Sequence, residues 1–260
     1  MTLPREERLK TLGLWPVWRL RGAEAETVAT GVVEAEVAPS PPAPPPKGEG
    51  LGEREQRIQT RATDQTIAPQ NWDALRQSVQ TCTRCPLHET RTKPVFGVGD
   101  IEADWLIVGE APGADEDRQG EPFVGQAGKV LDGMLAAIGL TRGDNVYIAN
   151  VLKSRPPGNR DPKVEEVAAC IPYLERQIEL IRPRIILALG RFAAQSLLAT
   201  DTSITRLRGH VHAYRGVNMV VTYHPAYLLR NPADKNKVWE DLCLARKTLL
   251  SSPPKSNTGV

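Results

Sequence analysis

The chain predicts an α/β fold: a three-layer α/β/α sandwich around a central, mostly parallel, four-stranded sheet. Two observations predict it. Short apolar runs, as expected of buried strands, alternate with longer stretches whose apolar residues recur at helical spacing. The runs end in glycine, in asparagine or in a Tyr-His-Pro turn, where strands give way to loops.

The first helix is marked by Trp72, Leu75 and Val79. Trp105-Leu106-Ile107-Val108 reads as a strand ending in Gly109. Val130, Leu131, Met134, Leu135 and Ile138 form a helical stripe stopped near Gly139, and Val146-Tyr147-Ile148-Ala149 is the second strand. Asp161-Pro162 looks like a helix start, a capping carboxylate followed by proline in the first turn. Val164, Val167, Ala168, Ile171, Leu174, Ile178 and Ile181 carry that helix on. The third strand runs from Arg184 to Leu189 and ends in Gly190, and a helix with Ala193, Ala194, Leu197 and Leu198 follows. Met219-Val220-Val221-Thr222 is the fourth strand, and a last helix is expected from about Asp234 to Leu250. Strands alternating with helices argue for a parallel sheet covered on both faces. Right-handed crossovers then give three layers.

This α/β domain is expected over residues 71–250 of the 260-residue chain. Before it, residues 1–30 hold a short apolar, helix-like patch with Leu3, Leu9, Leu12, Trp15 and Trp18. Two readings stand for that patch: a loosely folded tail, or a tethered peptide that binds a protein partner. Residues 31–70 read as a flexible linker, stiffened locally by a proline run from Pro39 to Pro46. Residues 251–260 are expected to be a disordered tail.

The net charge is +2. A local basic face would still suffice for a nucleic acid. No apolar run reaches the roughly 18 residues of a membrane span. The N-terminus shows no apolar signal region, so the expectation is a cytoplasmic, monomeric protein with no membrane partner. The four cysteines include a C-x-x-C pair, which points to metal or redox chemistry.

In open parallel sheets, ligands sit beyond the carboxyl ends of the strands. The segments there are Gly109 to Gly113, Asn150, Gly190 and Tyr223-His224-Pro225. The first continues into three consecutive acids, Asp115, Glu116 and Asp117. They read either as a solvated cluster opening a helix or as part of a site. Phe123 precedes a glycine-rich turn and serves either as core, the reading the residues alone favour, or as a stacking platform. Asn150 offers one acceptor and two donors in a plane, the pattern that pairs with N3–H and O4 of uracil and mismatches cytosine. It could equally cap a turn. His224 opens HPAYLLRNP, whose apolar residues and Arg230 suit a loop that wedges into a duplex. Basic residues gather as Lys153, Arg155 and Arg160, as Arg206 and Arg208, and as Arg230, Lys235 and Lys237. Each group reads as solvated surface, or together they track phosphates. Cys82, Cys85 and Cys170 could begin a zinc or iron–sulfur site, and Cys243 looks like a small buried hydrophobe in the last helix.

Over roughly residues 75–250 the chain resembles the family 4 uracil-DNA glycosylases, an iron–sulfur-bearing group. The motifs run in order: CTRCPLHETRTKPVFGVGD, VGEAPGADED with EPFVGQAG, YIANVLKSRPPGNRDP, CIPYLERQIELIRPRIILALG and TYHPAYLLRNP. The resemblance implies an enzyme that flips uracil out of DNA and hydrolyses its N-glycosidic bond, opening base excision repair. Phe123 then matches the aromatic that stacks on the base, Asn150 the amide that reads its edge, and His224 the residue facing O2. Glu110 and Ala111 match the loop that contacts the base and the attacking water, and Glu116 an acid near the pocket. Catalytic roles are thus implied for His224, Glu110 and Glu116, and strand intercalation for Leu229 and Arg230. Stabilising the charge that develops on the leaving uracil is the expected main term, with His224 as donor. Ala111 stands where family 1 enzymes carry an aspartate for water, and alanine cannot act as a base.

The resemblance also implies a four-cysteine 4Fe–4S cluster. Cys82, Cys85 and Cys170 match three ligands, but Ser154 stands sixteen positions before Cys170, where the third cysteine is expected. Three outcomes are open: a serine-ligated cluster, a labile three-thiolate cluster, or none. Neighbouring readings are a glycosylase for another deaminated base, a non-catalytic DNA- or polymerase-associated module, and a redox protein.

Overall fold

A computed structural model describes residues 67–255. The apolar patch at 1–30, nearly all of the linker and residues 256–260 lie outside the described residues.

Helix α1 spans Trp72–Gln80 and is capped by Asn71, whose Oδ1 accepts from Ala74 N at 2.9 Å. Strands β1 (Val98–Gly99) and β2 (Trp105–Gly109) follow, then helices α2 (Ala114–Gln119) and α3 (Gln126–Ala137). Strand β3 is Val146–Asn150, helix α4 Val164–Ile181, strand β4 Ile185–Leu189 and helix α5 Gly190–Leu198. Helix α6 (Ile204–Leu207), strands β5 (Val211–Tyr214) and β6 (Val217–Thr222), and helices α7 (Pro225–Arg230) and α8 (Lys235–Ser251) complete the body.

The sheet order is β1-β3-β2-β4-β6-β5. The four inner strands run parallel and are the four expected from sequence. The sheet has six strands rather than four, because antiparallel edges β1 and β5 flank them. Both escape a pattern reading for physical reasons. β1 has two residues, and β5 (Val-His-Ala-Tyr) is largely solvent-facing and lacks an apolar run.

Strands β2, β3 and β4 are buried end to end and β6 over its last four residues, and alternate side chains enter opposite layers. Leu106, Val108, Tyr147, Ala149, Ile186 and Ala188 pack toward α4 and α5. Trp105, Ile107, Val146, Ile148, Ile185 and Leu187 pack toward α3 and α8. That division is the three-layer sandwich. Helix α4 begins at Val164, later than Asp161-Pro162 suggested, because Glu166 turns back to accept from Lys163 N at 2.9 Å.

The ends of the body extend beyond residues 71–250. Ile67 is buried against Leu75 and Tyr173, and Arg176 Nε donates to Gln70 O at 2.7 Å. The stretch expected as a free tail is held down as far as Lys255, whose Nζ donates to Ala103 O at 2.8 Å and Ile181 O at 3.1 Å. No helix among the described residues is long and apolar enough to cross a membrane.

Candidate active site

Parallel register brings the strand ends level, Gly109 beside Asn150 and Leu189 beside Thr222. Beyond them opens a cavity of about 450 Å³. Glu110, Ala111, Glu116, Phe123, Asn150, His224 and Arg230 all line it. Residues more than a hundred positions apart in the chain thus share one space. Leu229 is half exposed beside it on α7.

Asn150 forms the floor. It is 2% exposed, and its Oδ1 has no hydrogen-bond partner. A buried acceptor left unmade costs about 1–3 kcal/mol, so the geometry favours a ligand that brings a donor. Gly109 makes room for it, since a Cβ there would lie 2.3 Å from Asn150 Oδ1 and 2.7 Å from Phe123 Cζ.

Phe123 holds a left-handed backbone, φ 55°, which costs a bulky residue on the order of 1–3 kcal/mol. Arg142 holds it there. Its Nη1 donates to Pro122 O at 2.9 Å and its Nη2 to Phe123 O at 2.8 Å, while Asp132 fixes the guanidinium. Gly128 lets the turn close, because a Cβ there would fall 1.8 Å from Phe123 O. The ring is 6% exposed yet faces the cavity, so it is core and platform at once. Its centroid lies 5.6 Å from that of His224, with the planes tilted by 31°.

His224 caps α7. Its Nδ1 accepts from Ala226 N at 3.2 Å, which leaves the ring proton on Nε2. Burial pushes its pKa down to about 4, Arg230 adds to the fall, and Glu116 opposes it. At neutral pH the ring is an uncharged donor. Gly190 (φ 89°) lies under it, with a Cβ position 2.9 Å from His224 Cβ.

The two acids differ. Burial pushes Glu110 up to about 7, Asp161 adds to the rise, and Arg191 opposes it. Glu116 is committed to the scaffold: Oε2 accepts from Gly113 N at 3.1 Å, and Oε1 from Val124 N at 2.9 Å and Gly125 N at 3.1 Å. Asp117 likewise binds Thr92 N, at 2.9 and 3.1 Å. The acidic run is therefore largely internal wiring rather than a solvated cluster.

Sequence reasoning missed Arg142 and misplaced Lys153. Lys153 is 2% exposed rather than part of a surface group. Its Nζ donates to Asn150 O at 2.9 Å and to Gln177 Oε1 at 2.6 Å, and Gln177 Nε2 donates to Phe96 O at 2.9 Å. Burial pushes the Lys153 ammonium down to about 7. Of the three basic groups, Arg160 and Arg230 line the cavity. Arg160 is paired with Glu166, Arg208 with Asp241, and Lys237 with Asp234. Cys243 is exposed, not buried, because its position on α8 faces away from the sheet.

None of the remaining cysteines lines the cavity, and Lys153 N donates to Cys170 Sγ at 3.1 Å. Cys82 and Cys85 are half-buried, Cys170 is buried, and all three are free thiols. Ser154 is buried, and its Oγ accepts from Arg91 Nη1 at 2.9 Å. A four-iron cluster needs a soft thiolate on each iron, and a hard hydroxyl already bonded to a guanidinium is a poor substitute. The donor set therefore does not fit a four-thiolate cluster. Among the described residues no group of three or more His, Cys, Asp or Glu side chains is arranged to hold a metal ion.

Residues 96–243 match the model of the uracil DNA glycosylase superfamily. The chain is 51% identical over 168 residues to a Type-4 uracil-DNA glycosylase of Archaeoglobus fulgidus, covering 62% of this chain and 84% of the relative. It is 43% identical over 195 residues to the Type-4 uracil-DNA glycosylase of Sulfurisphaera tokodaii, covering 72% and 87%. A Type-5 uracil-DNA glycosylase of Thermus thermophilus is 35% identical over 155 residues, covering 51% and 68%.

Proposed function

The chain belongs to the uracil DNA glycosylase superfamily, and on that premise we propose that it is a uracil-DNA glycosylase, hydrolysing the bond between uracil and deoxyribose in DNA. The observation that carries the reading is the partnerless Oδ1 of Asn150, buried on the floor of a cavity shared with Phe123 and His224.

Uracil supplies the donor that this atom lacks. In this reading Asn150 Oδ1 accepts from N3–H, and its amide N–H donates to O4. Cytosine sets a lone pair against Oδ1 and an amino group against the amide donor, and is refused. Phe123 offers its face to the extruded base, and the exposed Leu229 with the neighbouring, cavity-lining Arg230 would enter the vacated stack.

Bond breaking leaves negative charge on uracil O2 and N1 and positive charge on the sugar. The neutral His224 donates from Nε2 to O2 as that charge grows. A neutral donor does not have to surrender its proton to help. Glu110, ionised above its raised pKa, favours the cationic sugar and takes a proton from the attacking water. Ala111 gives the water only backbone. Glu116 serves by holding the 113–125 turn that carries Phe123. No step of this sequence calls on a metal centre.

The same reading includes a monomeric, cytoplasmic enzyme initiating base excision repair on uracil-containing DNA. Residues 1–30 keep both readings, a tail or a partner-binding segment on the 31–70 tether. A glycosylase assay on a single-uracil oligonucleotide tests the core of the proposal. Wild type should leave an abasic site and Asn150→Ala should not. No cleavage by wild type would end the proposal, and equal cleavage by the two proteins would remove Asn150 from it.

A further inference from the structure

Four segments meet beside Cys170: the C-x-x-C turn at 82–85, the arm carrying Arg91, the Lys153-Ser154-Arg155 loop and helix α4. In the family that the sequence resembles, an iron–sulfur cluster ties such segments through four thiolates. Here Ser154 stands in place of the third of them.

The bonds the chain makes at that place are specific. Arg91 Nη1 donates to Ser154 Oγ at 2.9 Å. Arg91 Nη2 donates to Cys82 O at 2.8 Å, with a longer bond to Gln80 O at 3.4 Å. One planar guanidinium therefore bridges the C-x-x-C turn to a loop 63 residues further on than Arg91. Lys153 N donates to Cys170 Sγ at 3.1 Å, which ties the same loop to α4. His88 Nδ1 lies 2.8 Å from Cys85 O and closes the turn from its other side.

We infer that Arg91 is the tie between these segments in this protein, and that the chain folds without a four-iron cluster. The serine hydroxyl, unsuited to iron, is well suited to a guanidinium: it is small, it accepts a charged hydrogen bond, and it fits a buried site. The inference is independent of the uracil pocket, since its readouts are metal content and melting temperature rather than cleavage.

The test uses the full chain, purified anaerobically. Iron and acid-labile sulfide are measured, with the visible spectrum, and melting curves are recorded for wild type, Arg91→Met, Arg91→Lys and Cys85→Ala. The expected result is a colourless protein with less than about one iron per chain. Arg91→Met should lower the melting temperature by about 4–8 °C. Arg91→Lys, which keeps the charge but not the fork, should fall between them, and it serves as the measured variant if Arg91→Met does not fold. Cys85→Ala should melt within about 2 °C of wild type, as expected of a thiol that holds no metal. More than about three irons with matching sulfide, lost in Cys85→Ala, would overturn the inference. So would Arg91 variants that melt with wild type.

Discussion

The uracil pocket and the thiol site flank one short stretch of chain, Asn150 to Ser154, and they treat their polar groups in opposite ways. In the pocket, Glu116 is fully bonded, His224 keeps one nitrogen bonded and one free to donate, and Asn150 leaves a single acceptor unmet. At the thiol site Ser154, Cys170 and the Cys82 carbonyl are all satisfied from within the chain. A site for a ligand keeps an unmet group at a cost in stability; a joint does not. A joint can therefore exchange one fastening for another, while the pocket, on the proposed reading, cannot exchange Asn150.

The contrast predicts that pocket substitutions lower rate without lowering stability. The largest effect belongs to Asn150→Ala, which should cut single-turnover excision roughly 10²–10³-fold. Its melting temperature should hold or rise, because the substitution removes a buried atom that had no partner. A parallel fall in rate and melting temperature would make Asn150 structural. His224→Ala should cost at least about tenfold, or 1.4 kcal/mol, on single-stranded and double-stranded uracil substrates alike. An unchanged rate on single-stranded DNA would remove its role as donor.

Arg142→Met tests a residue between the two extremes. It frees Phe123 from its left-handed backbone, so base stacking should weaken and KM should rise by about tenfold. Little change in kcat is expected, and a fall in kcat alone would place Arg142 elsewhere in the mechanism. The smallest effect is in pH. Glu110 sits near 7 because it is buried, so its carboxylate form grows, and the rate with it, from about pH 6 to about pH 8. Lys153 loses its proton over the same range. Glu110→Gln separates them: a flattened profile assigns the rise to Glu110, and a retained profile assigns it to Lys153.

Strands, layers and the line of pocket residues were legible in the sequence because each rests on a local pattern. Buried strands show as apolar runs, and a parallel sheet puts the residues after them on one edge. Glu110, Asn150 and His224 were found that way. Edge strands β1 and β5 were not, since an edge carries too few buried residues to leave a signature. Arg142, Lys153 and Arg91 were hidden for another reason: a charged residue reads as surface until its partner is known. Their acceptors lie 19, 24 and 63 positions away. Phe123 was ambiguous because it does both things that the residue type allows.

Gly109 and Gly190 put the pocket floor within reach of side chains that leave no space for a methyl group. At Gly109 the obstacle is the Asn150 amide with the Phe123 ring, and at Gly190 it is the histidine together with a backbone angle closed to other residues. A saturation library at these two codons, selected for uracil repair, should return glycine alone, while neighbouring Ala111 should accept serine.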